Sequence, residues 1–139
     1  VREIRFIVLH CTASPQRQTV AEIQRYWRDV MKWRRPGYHR IIEANGNVVS
    51  LEDYATPTNG VAGQNSHSIH ICYIGGIDAK GQPSDNRTIA QRSSMLNLVK
   101  EARQLFPKAK ICGHRDFPGV KKACPSFDVS KWLKDNGIN

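Results

Sequence analysis

The stretch Ile4-Arg5-Phe6-Ile7-Val8-Leu9-His10-Cys11-Thr12 decides how the chain is read. Its apolar part is short, rich in β-branched residues and lacks the alternation of a half-solvated strand, so it fits a strand buried in a sheet. The run stops at His10-Cys11-Thr12, which puts the first chemistry-bearing residues at a strand end.

Working outward, Thr19 and Glu22 have the spacing of a capping box. They precede Val20, Ile23, Trp27, Val30 and Met31, an apolar stripe at helical period, so a helix is expected through about Lys32. Pro36-Gly37 ends it. Tyr38 to Glu43 and Asn47 to Leu51 then flank Asn45-Gly46, the turn that best marks a hairpin. Residues 53–64 are small, polar and rich in Pro and Gly, as in a surface loop, and Ser68 to Ile74 reads as another strand. Thr88 and Gln91 repeat the capping-box spacing ahead of Ile89, Met95, Leu96, Val99, Ala102 and Phe106, the longest expected helix, closed by Pro107. Ala109 to Gly113 is a brief strand delivering His114, and Asp128 caps a short helix around Trp132 and Leu133. Strands and helices alternate with one hairpin inserted. The expected fold class is α/β: a single domain over residues 1–139, with a mixed central β-sheet flanked by about three helices. Ligands of such sheets collect beyond strand ends.

Composition narrows the function classes. A chain of 139 residues buries about two thirds of its unfolded surface and needs no staples. Its apolar runs fall far short of the roughly 18 residues of a spanning helix, so no membrane insertion is expected. Twenty-one Lys and Arg against twelve Asp and Glu leave a net charge of +9, which fits an anionic partner without distinguishing nucleic acid from an acidic polymer. No interleaved patch of basic and stacking aromatic residues stands out, so nucleic acid is not the expected partner. Of the four cysteines (Cys11, Cys72, Cys112, Cys124) none forms a C-x-x-C pair, and reduced thiols are expected. The residues around Arg2 and Glu3 do not read as a signal peptide. The expectation is a protein held in the cytoplasm before release, or one whose leader is trimmed.

His10 follows the first strand, His114 follows the last, and Cys124 comes ten positions later. Imidazole and thiolate both suit zinc, and three protein ligands leave the open position of a catalytic site. By residue type and spacing alone, two histidines at strand ends are more often ordinary polar residues than ligands. Likewise Tyr38 reads as a strand residue with a wet hydroxyl, and Lys122 as one solvated charge beside Lys121.

The segments His10-Cys11-Thr12-Ala13, Gly37-Tyr38-His39, Ile74-Gly75-Gly76-Ile77-Asp78, Gly113-His114 and Lys122-Ala123-Cys124-Pro125-Ser126-Phe127-Asp128 occur in this order across nearly the whole chain. Together they resemble the zinc amidase family of phage lysozymes and peptidoglycan-recognition proteins. The last segment is the most specific. The resemblance implies an N-acetylmuramoyl-L-alanine amidase, a bacteriolytic hydrolase of the endolysin kind that degrades peptidoglycan at the bacterial cell wall. It implies one Zn²⁺ on His10, His114 and Cys124, with Tyr38 and Lys122 catalytic. A zinc-activated water and donors to the developing oxyanion are what amide hydrolysis requires.

Two departures accompany the resemblance. The loop from Arg115 to Ala123 is longer than in short phage lysozymes, which makes Lys121 a competitor for the lysine role. The histidine expected in the groove near Asn59-Gly60-Val61 is absent. His70, between Ile69 and Ile71, reads as a residue behind the ligands rather than one of them; His39 and His67 carry no assigned role. The alternative function is a non-catalytic peptidoglycan-binding module or a regulator that binds an RNA polymerase. Retention of Cys124 favours the enzyme.

Overall fold

In the computed structural model, which describes residues 2–139, the opening apolar run forms β1 (Phe6–Cys11), with Ile7, Val8, Leu9 and His10 wholly buried. The hairpin forms β2 (Arg40–Ile42) and β3 (Val48–Ser50), and the strand after the polar loop is β4 (Ser68–Tyr73). With β5 (Lys110–Gly113) they make one five-stranded sheet in the order β3-β2-β4-β1-β5. All neighbours are parallel except the hairpin β2–β3, so the sheet is mixed. The continuous apolar reading of β1 and β4 has its cause here: both are interior parallel strands covered on both faces.

Three helices supply the cover: α1 (Val20–Asp29), α2 (Ile89–Leu105) and α3 (Val129–Asp135). Both capping boxes form. Thr19 Oγ1 accepts from Glu22 N at 3.1 Å and Thr88 Oγ1 from Gln91 N at 3.0 Å, while each partner side chain accepts the cap's own N–H. A cap of this kind contributes about 1 kcal/mol. The strand period then splits the core. Ile7, Leu9, Ile69, Ile71 and Tyr73 join Met95, Val99, Phe127 and Trp132 of the α2/α3 side. Ile41, Cys72 and Ile74 join Ile23 and Trp27 of α1 on the other side, and Val8 joins Cys112, Val61 and Phe117.

Two helix faces differ from the sequence pattern. α1 stops at Asp29 because Val30 N and Met31 N both bond Tyr26 O and close the helix; Lys32 then turns with φ 58°. Val30 and Met31 are consequently 61% and 41% exposed rather than core. Ile89 is 88% exposed, since the first turn of α2 precedes the part that faces the sheet; Gln91, Met95, Leu98, Val99 and Ala102 form the buried face. All four cysteines are free thiols, as expected. Among the described residues no helix is long and apolar enough to cross a membrane.

Candidate active site

Strand register builds the site. In the parallel pair β1/β5, Leu9 lies opposite Gly113, and one residue beyond that pair on each chain segment stand His10 and His114. Their rings are consequently neighbours, with centroids 5.0 Å apart. The loop before α3 brings the third group. Arg115 N bonds Cys124 O at 2.9 Å, Tyr73 Oη donates to Pro125 O at 2.7 Å, and Ser126 Oγ donates to Gly76 O at 2.9 Å. Anchored this way, Cys124 Sγ lies 3.8 Å from His10 Nδ1 and accepts the Cys11 backbone N–H at 3.2 Å. One ligating atom from each of His10, His114 and Cys124 fits within 4.8 Å of the other two.

Gly76 explains part of the motif spacing. With φ 97°, it sits where a Cβ would overlap Cys11 Sγ, so the Gly-Gly loop closes against the end of β1 only because it has no side chain.

His114 and Cys124 line a groove of about 700 Å³, while His10 is wholly buried. The groove lining includes Trp27, Met31, Trp33 and Tyr38, together with Gly76, Ile77 and Pro83. The Tyr38 ring stands 4.9 Å from the His10 ring and 5.5 Å from the Trp27 ring. Lys122 lines the groove together with Cys124 and His114, whereas Lys121 does not reach it. Within the same loop Phe117 packs into the cluster around Val8 and Cys112.

The electrostatics suit a cation at the trio. Burial lowers the His10 pKa well below its ordinary value, and burial with the nearby Lys122 lowers that of His114, so both present neutral imidazoles. Contact with Cys11 and burial raise the Cys124 thiol above the usual cysteine range, and a nearby cation would favour its thiolate. Two neutral imidazoles and a thiol that ionises beside a cation are a donor set fitted to a divalent metal of borderline softness. Burial, with Cys72 and Cys124 alongside, raises the Tyr38 hydroxyl well above the ordinary phenol range; it stays a donor at neutral pH.

Residues without an assigned role fall into place behind the trio. His70 Nδ1 lies 2.8 Å from His10 Nε2, and its other nitrogen lies 2.9 Å from Asn65 Oδ1. His39 is buried, accepts the His70 backbone N–H on Nδ1 at 3.0 Å and reaches Thr56 O with Nε2 at 2.8 Å. His67 stays at the surface beside Glu3 O. In the stretch Asn59-Gly60-Val61, which lacks the expected histidine, the His70 ring occupies the space that a side chain at Gly60 would need. Asn65 carried no sequence signal, being one polar residue in a polar loop.

The family model described as N-acetylmuramoyl-L-alanine amidase matches residues 1–127. The chain belongs to that family. It is 39% identical over 127 residues to the endolysin of Enterobacteria phage K11, covering 91% of this chain and 83% of the relative. It is 36% identical over 138 residues to the endolysin of Klebsiella phage KP32, covering 99% and 90%. Among solved structures, the Ph2119 endolysin from a Thermus scotoductus bacteriophage superposes with a TM-score of 0.81 at 23% identity, covering 100% of this chain and 88% of that one. PGRP-SA of Apis mellifera gives 0.79 at 18%, covering 97% and 84%. At these identities the last two show a shared fold.

Proposed function

We propose that this amidase works at the bacterial cell wall with one zinc ion held by His10, His114 and Cys124, and with Tyr38 and Lys122 as its catalytic side chains, all within a single domain spanning residues 1–139. The reaction follows from the family: hydrolysis of the amide between N-acetylmuramic acid and L-alanine in peptidoglycan. Water adds to the lactyl carbonyl, the C–N bond breaks, and the products are a lactyl carboxylate and a free alanine amine carrying the transferred proton. Zinc bound at the trio supplies Lewis acidity toward the carbonyl and toward water.

The chain's own groups do the rest. An amide carbonyl gathers negative charge on oxygen as it is attacked, so donors must reach that position. Tyr38 and Lys122 both line the groove and carry donors; the Tyr38 hydroxyl, kept protonated by burial and bonded with Cys72, has to turn from that contact toward the substrate, and Lys122 brings a formal positive charge. The apolar wall of Trp27, Met31 and Trp33 limits water at that side and offers contact area to sugar and peptide.

The observation that carries this reading is the approach of three ligating atoms to within 4.8 Å, two of them on residues that line the groove. Incubation of the zinc-loaded protein with purified peptidoglycan is expected to release new alanine amino termini and no new reducing sugars. Chelation is expected to stop it. Reducing ends in place of amino termini would show a glycan hydrolase and refute the proposal.

A further inference from the structure

His10 has two nitrogens, and only one can face a metal. Nδ1 lies 3.8 Å from Cys124 Sγ, while Nε2 lies 2.8 Å from His70 Nδ1. A neutral imidazole carries one proton, so something must place it.

The placement can be followed back to a backbone amide. Val61 N–H donates to Asn65 Oδ1 at 2.8 Å. Because an amide N–H only donates, the side-chain atom facing it must be the oxygen, which fixes the orientation of the Asn65 carboxamide. The same oxygen lies 2.9 Å from His70 Nε2, so that nitrogen must carry the His70 proton. His70 Nδ1 is then a bare acceptor, and His10 Nε2, facing it, must be the donor. Both rings are fully buried, and among the described residues no carboxylate is bonded to either, so burial favours the neutral, singly protonated form of each. The His70 ring is held at both nitrogens, by His10 Nε2 and Asn65 Oδ1, and it packs directly over Gly60.

We infer that Asn65 is a positioning residue: acting through His70, it fixes the proton of His10 on Nε2 and leaves Nδ1 bare toward Cys124 and the metal position. This rests on the ligand set proposed above. Outer-shell partners of metal-bound histidines commonly carry 10- to 100-fold in metal affinity. In this chain the partner is a neutral histidine and an asparagine rather than a carboxylate, so the ring gains orientation without an added negative charge.

The test uses the full chain. Two-bond nitrogen–proton NMR spectra of the metal-free wild type are expected to show His10 and His70 both as Nε2–H tautomers. Zinc affinity, measured by competition with a chromophoric chelator, is expected to fall about 10- to 100-fold in Asn65→Leu. It is expected to recover in Asn65→Asp, whose carboxylate accepts the same two donors. A merely structural role would not move the His10 tautomer, and circular dichroism with melting curves establishes that each variant is folded. Wild type with the His10 proton on Nδ1 overturns the inference, as does folded Asn65→Leu that binds zinc as tightly as wild type. A wild type with the expected tautomers that takes up no zinc at the trio overturns the ligand set instead.

Discussion

Cys124 Sγ accepts the backbone N–H of Cys11 at 3.2 Å, although 113 residues separate the two. A contact between the loop before α3 and β1 is thus made by a candidate metal ligand itself. Serine keeps an acceptor at that position but does not ionise as a thiol does. Cys124→Ser is therefore expected to fold, to lose stoichiometric zinc on dialysis and to lose activity. Zinc analysis of both proteins checks this; equal zinc content with intact turnover would remove Cys124 from the site.

Tyr38 and Lys122 face the groove without belonging to the ligand trio. Tyr38→Phe and Lys122→Ala are each expected to slow turnover on peptidoglycan by roughly 10² to 10³, the usual cost of losing one oxyanion donor. Zinc content and melting temperature should stay at wild-type values. Lys121→Ala, outside the groove, is the control and should be near wild type. A crippled Lys121→Ala beside a healthy Lys122→Ala would reverse the roles of the two lysines.

What was legible in the sequence depended on whether the signal was local. Both capping boxes, the Asn45-Gly46 hairpin and the buried character of β1 rest on neighbours within a few residues, and all are present as read. The three ligand candidates were legible because each sits in a quotable motif, and the register Leu9 opposite Gly113 brings two of them together. Helical period alone misplaced Val30, Met31 and Ile89, since it says which residues share a face but not how far that face stays against the sheet. Asn65 and Gly60 were silent because their importance lies in what His70, several residues on, does in three dimensions.

Gly60 offers a steric test of that arrangement. Its φ is ordinary, so alanine brings no backbone strain; the only obstacle is the His70 ring in the space of the new Cβ. Gly60→Ala must displace a ring held by Asn65 and by the His39 contact to its backbone. The expected loss is about 1–3 kcal/mol in urea unfolding, the usual range for overpacking, together with weaker zinc binding. Unchanged stability would mean that the ring has room to move, and the account of why this position is glycine would fail.

Acid should destabilise the fold through His39. Its ring is fully buried, and burial, more than the opposing bond to Thr56 O, brings its pKa down from 6.5 to about 4. In the unfolded chain the same ring takes up a proton near pH 6.5. Between those values the unfolded state binds more protons than the folded one, so stability rises with pH. The contribution is intact above about pH 6.5 and is lost as pH falls toward 4, by up to about 3 kcal/mol from this group. His70, lowered to about 3 by burial and by His39, acts in the same direction. Chelator-treated protein is the right sample, because zinc would add the protonation of its own ligands to the curve. Urea midpoints at pH 7 and pH 5 are expected to fall for wild type and to fall less for His39→Gln, which has no proton to take up at that position. His114 titrates in both proteins and cancels, whereas His10 and His70, which His39 also lowers, add to the difference in the same direction. Equal falls would show that His39 does not resist protonation in the fold, and its burial would then need a different explanation.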